Sequence, residues 1–82
     1  MKRIFFIYRI NYSKPSGDIP QNNEPTETCI TLPMKDEIAH DILKNGSESQ
    51  YLQPMGDVRI VLEQICELQG CSFGDVVSVE EV

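Results

Sequence analysis

The sequence predicts a small α+β domain in which a sheet carries two helices on one face, and three observations lead there. Residues 3–12 alternate with the period of a strand. Two stretches, 33–44 and 57–69, repeat apolar residues at helical spacing, and residues 76–79 read Val-Val-Ser-Val close to the end. The expected order is β-β-α-α-β, with an antiparallel or mixed sheet, and the whole of residues 1–82 forms one domain.

In the first strand Ile4, Phe6, Tyr8, Ile10 and Tyr12 fall on one face, which is wholly apolar or aromatic. Arg3, Phe5, Ile7, Arg9 and Asn11 fall on the other, apolar in the middle and polar towards the ends. Residues 13–25 contain Pro15, Gly17, Pro20 and Pro25 and read as a long loop. Residues 26–32 then set Thr26, Thr28, Ile30 and Leu32 against Glu27, Cys29 and Thr31, a half-buried strand expected to run antiparallel to the first.

Pro33 is expected to end that strand and open the first helix, where its missing N–H costs nothing. Met34, Ile38, Ile42 and Leu43 share a helical face with Ala39 alongside. Asp36 and Glu37 near the start and Lys44 near the end suit the helix dipole, and Asn45-Gly46 is the stop. Residues 47–56 read as a second loop in which Tyr51-Leu52 adds a short strand or plugs the core. Asp57 is the expected cap of the second helix, which carries Val58, Val61, Leu62, Ile65 and Leu68 on one face and stops at Gly70. Ile60 falls off that face. A turn through Gly74-Asp75 should precede the last strand, with Glu80-Glu81-Val82 fraying. The predicted core is Ile4, Phe6, Tyr8, Ile10, Ile30, Leu32, Ile38, Ile42, Leu43, Val61, Leu62, Ile65, Val77 and Val79.

Charge is unevenly spread. Residues 1–14 hold Lys2, Arg3, Arg9 and Lys14 with no acid, whereas residues 15–82 hold all thirteen acids against Lys35, Lys44 and Arg59. The net charge is −6. A negative body of this kind repels free nucleic acid and attracts basic surfaces. No apolar run approaches the roughly 20 residues that span a bilayer, so no membrane partner is expected. The basic and apolar start is interrupted by Arg9 and has no small-residue cleavage site, so it reads as a strand and not as a secretion signal. Three cysteines, Cys29, Cys66 and Cys71, then indicate free thiols in a reducing cytoplasm.

Catalytic constellations are weak throughout. Gly70-Cys71-Ser72-Phe73-Gly74 matches G-x-S-x-G, but a nucleophile elbow needs a strand before it and a helix after, and here that order is reversed. Cys29, Cys66, Cys71 and His40 lack the paired knuckles of a zinc site. Cys71, past a helix C-terminus, sits where the dipole opposes a thiolate. The carboxylate pairs Glu63/Glu67 and Asp36/Glu37/Asp41 read as solvated surface, because acid–base work needs one member of a pair desolvated. No cofactor, metal or catalytic set is expected, and the protein reads as non-enzymatic, with a small enzyme or cysteine-dependent metal protein ranked third among the readings.

The first strand does interleave Lys2, Arg3 and Arg9 with Phe5, Tyr8 and Tyr12, followed by Lys14, as in sheet platforms that stack single-stranded nucleic acid. That reading competes with the core role of Tyr8 and Tyr12 and with the negative net charge. The leading expectation is a protein-binding module, an acidic inhibitor of a partner with a basic or nucleic-acid-binding surface, acting by mimicry of a phosphate backbone. In size and charge this is similar to small inhibitors such as the anti-CRISPR proteins. Its contacts are expected at Asp36, Glu37, Asp41, Glu48, Glu63 and Glu67 together with the 13–25 loop. Edge-to-edge pairing of the sheet into a homodimer is a further expectation.

Overall fold

The computed structural model describes residues 1–12 and 26–82; the expected loop at 13–25 lies outside them. Strand β1 (Lys2–Tyr12) is followed by β2 (Thr26–Met34), helix α1 (Asp36–Asn45), helix α2 (Asp57–Leu68) and strand β3 (Cys71–Glu81). The three strands form one sheet in the order β2-β1-β3, antiparallel at both pairings. The α+β class and the order β-β-α-α-β are as predicted, and the sheet is antiparallel throughout.

Its alternating residues place β1 at the centre. Ile4, Phe6, Tyr8 and Ile10 are all buried, and the helices cover them with Ala39 and Ile42 from α1 and Val58, Leu62 and Cys66 from α2. Burying each of the large side chains is worth about 1.5–3 kcal/mol, and the central strand supplies four of them in a row. The opposite face holds Phe5 and Ile7, half-buried, with no helix over them among the described residues.

Several local expectations are corrected. Pro33 does not open a helix. It lies within β2, opposite Arg3, and α1 begins at Asp36 with Lys35 as an extended N-cap. Proline is tolerated there because β2 is an edge strand. Asp57 is the first residue of α2 and not its cap, which is Gly56. A side chain at Gly56 would stand 2.5 Å from the Tyr51 carbonyl oxygen, so only glycine admits the close approach of the preceding turn. That turn, residues 46–52, is two short 3₁₀ segments, Gly46–Glu48 and Gln50–Leu52. It closes the core with Leu52, the plug and not the short strand of the two sequence options.

The expected turn at Gly74-Asp75 is instead continuous strand. β3 starts directly after Gly70, whose φ of +78° ends α2, and it runs along β1 with two register shifts. Ile7 faces Ser78 while Tyr8 faces Val76, so Val77 is the extra residue of a bulge. Val77 was predicted as core and is 40% exposed for that reason. Val61, also predicted as core, is 41% exposed on the flank of α2 that faces the end of β2. Ile30, Leu32, Ile38, Leu43 and Val79 pack against the core from partly buried positions, while Met34, Leu52, Cys66 and Cys71 join it fully.

Candidate functional site

Charge separates by layer in the folded chain. The sheet neutralises two of the three bases of β1: Lys2 pairs with Glu81 at 3.2 Å and Arg9 with Asp75 at 3.0 Å, each across the β1–β3 ladder, while Arg3 is exposed with no ion-pair partner among the described residues. The helical layer does not. Residues 36–69 carry seven acids against Lys44 and Arg59. Of these acids, Glu37, Glu48, Asp57 and Glu67 are exposed and have no ion-pair partner among the described residues.

The six acids predicted as contacts divide into two groups. On α1, Asp36 is exposed and pairs with the N-terminal ammonium of Met1 at 3.3 Å, a solvent-screened contact of small energy. Glu37 lies beside it in the first turn, favoured by the helix dipole. Asp41 faces the 3₁₀ segments, where it accepts hydrogen bonds from Ser49 Oγ at 2.6 Å and Asn45 Nδ2 at 3.3 Å. Asp41 is thereby half-buried and committed to holding the turn, so it is a structural residue more than a contact. Glu48 stands free on that turn.

On α2 the structure brings Glu63 and Glu67 together. They border a cleft of about 280 Å³ completed by Cys71, Ser72 and Phe73 at the start of β3. Arg59 donates to Glu63 Oε2 at 2.9 Å, one helical turn away, and lies 5.1 Å from the centre of the Phe73 ring. Phe73 in turn meets Tyr8 with ring centres 5.8 Å apart. Glu63 is therefore compensated and Glu67 is the open carboxylate of the cleft, suited to accept a guanidinium or ammonium group beside an aromatic wall.

The thiols do not form a reactive set. Cys29 is exposed on the face of the sheet away from the helices, opposite Ile7. Cys66 and Cys71 are buried together at the end of α2, and Cys71 Sγ donates to the Cys66 carbonyl oxygen at 3.3 Å. Burial pushes the Cys66 thiol from 9.0 up to about 11, with Cys71 adding to the effect, which keeps it protonated at neutral pH. His40 is exposed on α1. Among the described residues no three His, Cys, Asp or Glu side chains converge in a way that could hold a metal ion. No helix of the described residues is long and apolar enough to cross a membrane.

Sequence reasoning missed Arg59, Phe73 and Ser49. The spacing of Arg59 and Glu63 could have revealed the first. The other two owe their roles to contacts across the fold, and periodicity carries no signal for those. Comparison with protein-family models, with curated proteins and with solved structures finds no match to this chain.

Proposed function

We propose that the protein is a non-enzymatic binding module that engages a basic or nucleic-acid-binding protein through the outer surface of its helices. The observation that carries this reading is the layered charge. Lys2 and Arg9 of β1 are tied to β3, leaving Arg3 as the one open base of that strand, while the helical layer presents Glu37, Glu48 and Glu67 without compensation. Carboxylates held on a rigid helical frame offer a partner's Arg and Lys side chains what a phosphate backbone offers them, and they raise the encounter rate by long-range attraction. Such a protein acts as an inhibitor when the basic groove it fills is a working one. The free thiols suit action in a reducing cytoplasm.

The alternative, stacking of single-stranded nucleic acid on β1, is less well supported. Tyr8 and Phe6 are buried under the helices, and Lys2 and Arg9 are neutralised. Lys14 lies outside the described residues. Pairing of two copies through a sheet edge is compatible with the leading reading, since it leaves the acidic surface open.

The test is capture from a host lysate at low and high salt, followed by titration of the captured protein with wild type and with a Glu37→Lys/Glu48→Lys/Glu67→Lys variant. A stoichiometric basic partner, released by salt, displaced by nucleic acid and lost to the variant, is the expected result. A partner that the variant binds equally well counts against the acidic surface. Capture of nucleic acid alone, tightened by the variant, would transfer the function to β1.

A further inference from the structure

The two edges of the sheet differ in kind. The β3 edge is interrupted by two register shifts and carries Asp75, Glu80 and Glu81, the features that natural sheets use to prevent pairing. The β2 edge has no register shift and fewer charges, and its one interruption is Pro33, next to its last residue. It runs Thr-Glu-Thr-Cys-Ile-Thr-Leu-Pro-Met in unbroken register against β1, with Glu27 as its one charge.

The hydrogen-bonding groups on that edge can be assigned from the ladder. Val82 N–H donates to the Arg3 carbonyl oxygen at 3.0 Å, so the backbone of Arg3 points towards β3. In an antiparallel sheet the residue opposite a position that turns away also turns away. Arg3 faces Pro33, Phe5 faces Thr31 and Ile7 faces Cys29. The backbones of Cys29, Thr31 and Pro33 therefore point outward from β2, and Pro33, which has no N–H to offer, occupies the place where none is needed. Among the described residues nothing pairs with the N–H and C=O groups of Thr31.

We propose that two copies of this chain join through their β2 edges, antiparallel, about a two-fold axis at Thr31. The choice of occupant and of register rests on complementarity. Centring on Thr31 sets Glu27 opposite Lys35 of the second copy, and the reverse; Lys35 is still extended at φ −62° and ψ 150°. The only charges along this stretch of edge are thus matched twice over. The same register sets Ile30 against Leu32 of the second copy on the helix side, and Cys29 against Pro33. Centring on Ile30 or Cys29 leaves Lys35 without Glu27 opposite it and sets no pair of large apolar residues of different strand positions together. The two Thr31 residues exchange N–H···O=C bonds, and the Cys29 backbone N–H donates to the carbonyl of Pro33, whose nitrogen returns no bond. The result is a continuous six-stranded sheet with its helices on one face.

This surface is separate from the acidic outer helices, so either reading can fail without the other. The test is sedimentation equilibrium on the whole chain across the micromolar range, with three sets of variants. Wild type should show a monomer–dimer equilibrium. Thr31→Pro, which costs no bond inside the chain, should weaken it about tenfold or more while leaving the far-ultraviolet spectrum and thermal midpoint of the monomer intact; Thr31→Lys should do the same by charge repulsion and serves if the proline variant fails to fold. Glu27→Lys and Lys35→Glu should each weaken the dimer about threefold, and the double exchange should restore it. Cys29→Ser/Thr31→Cys should form an interchain disulfide on mild oxidation with glutathione disulfide, since directly opposed residues lie within disulfide reach. A chain that stays monomeric throughout, or a dimer indifferent to Thr31, overturns the proposal. So does wild type cross-linking through Cys29 as readily as the Thr31→Cys variant, which would mean another register.

Discussion

Ser49 Oγ donates a 2.6 Å hydrogen bond to Asp41 Oδ1 and accepts one from the Tyr51 N–H at 3.2 Å. One fully buried hydroxyl thus ties α1 to the turn that plugs the core with Leu52. Ser49 caps the second 3₁₀ segment in the same stroke.

Ser49→Ala should destabilise the fold by about 1–2 kcal/mol, because a half-buried carboxylate loses the shorter of its two hydrogen bonds and a backbone N–H loses its side-chain acceptor. Urea denaturation should show a lower midpoint with an unchanged slope. Reversing the charge of Asp41 would disturb folding as well as binding, which is why the binding test uses Glu37, Glu48 and Glu67.

Gly56→Ala should be more damaging. Its Cβ would meet the backbone oxygens of Tyr51 and Gln50 at 2.5 and 2.6 Å, and neither can move without shifting the plug. A loss of about 3 kcal/mol is expected, read from the denaturation midpoint. A variant as stable as wild type would mean that the turn before α2 is built differently.

Leu62 and Val61 are neighbours on α2 with opposite fates. Leu62 is fully buried, so Leu62→Ala should cost about 2–5 kcal/mol through lost burial and a cavity. Val61→Ala should cost clearly less, about 1 kcal/mol or below, since the residue is 41% exposed. Equal losses at the two positions would contradict the assigned face of the helix.

Stability should fall in alkali. The Cys66 thiol is held near 11 in the fold against an ordinary 9.0, so the folded chain keeps a proton that the unfolded chain gives up. The contribution is fully present below pH 9 and is lost as pH rises from 9 to 11, by about 3 kcal/mol at most. Burial raises the Tyr8 hydroxyl from its ordinary 10.0 as well, which adds to the fall at higher pH. The loss beginning near pH 9 belongs to Cys66, and a Cys66→Ala variant should lack it in thermal melts taken between pH 8 and 10.

What the sequence determined by itself was the class, the element order and the buried face of the first strand. These depend on local periodicity: Ile4, Phe6, Tyr8 and Ile10 at every second position can only be one face of a strand, and glycines at 46 and 70 mark the two helix ends. The acids of the proposed contact surface were also legible as residues, from helical spacing for Glu37 and Glu67 and from loop position for Glu48. Tertiary structure alone decided which of them stay free. Asp41 is drawn into the turn by Ser49 and Glu63 is compensated by Arg59, whereas Glu37, Glu48 and Glu67 remain open. It also decided that β1 lies between its partners, that Pro33 is an edge residue and that bulges turn Val77 to solvent. Strand order, register and side-chain pairing arise from contacts between residues far apart in the chain, and no local pattern encodes which of those distant contacts will form.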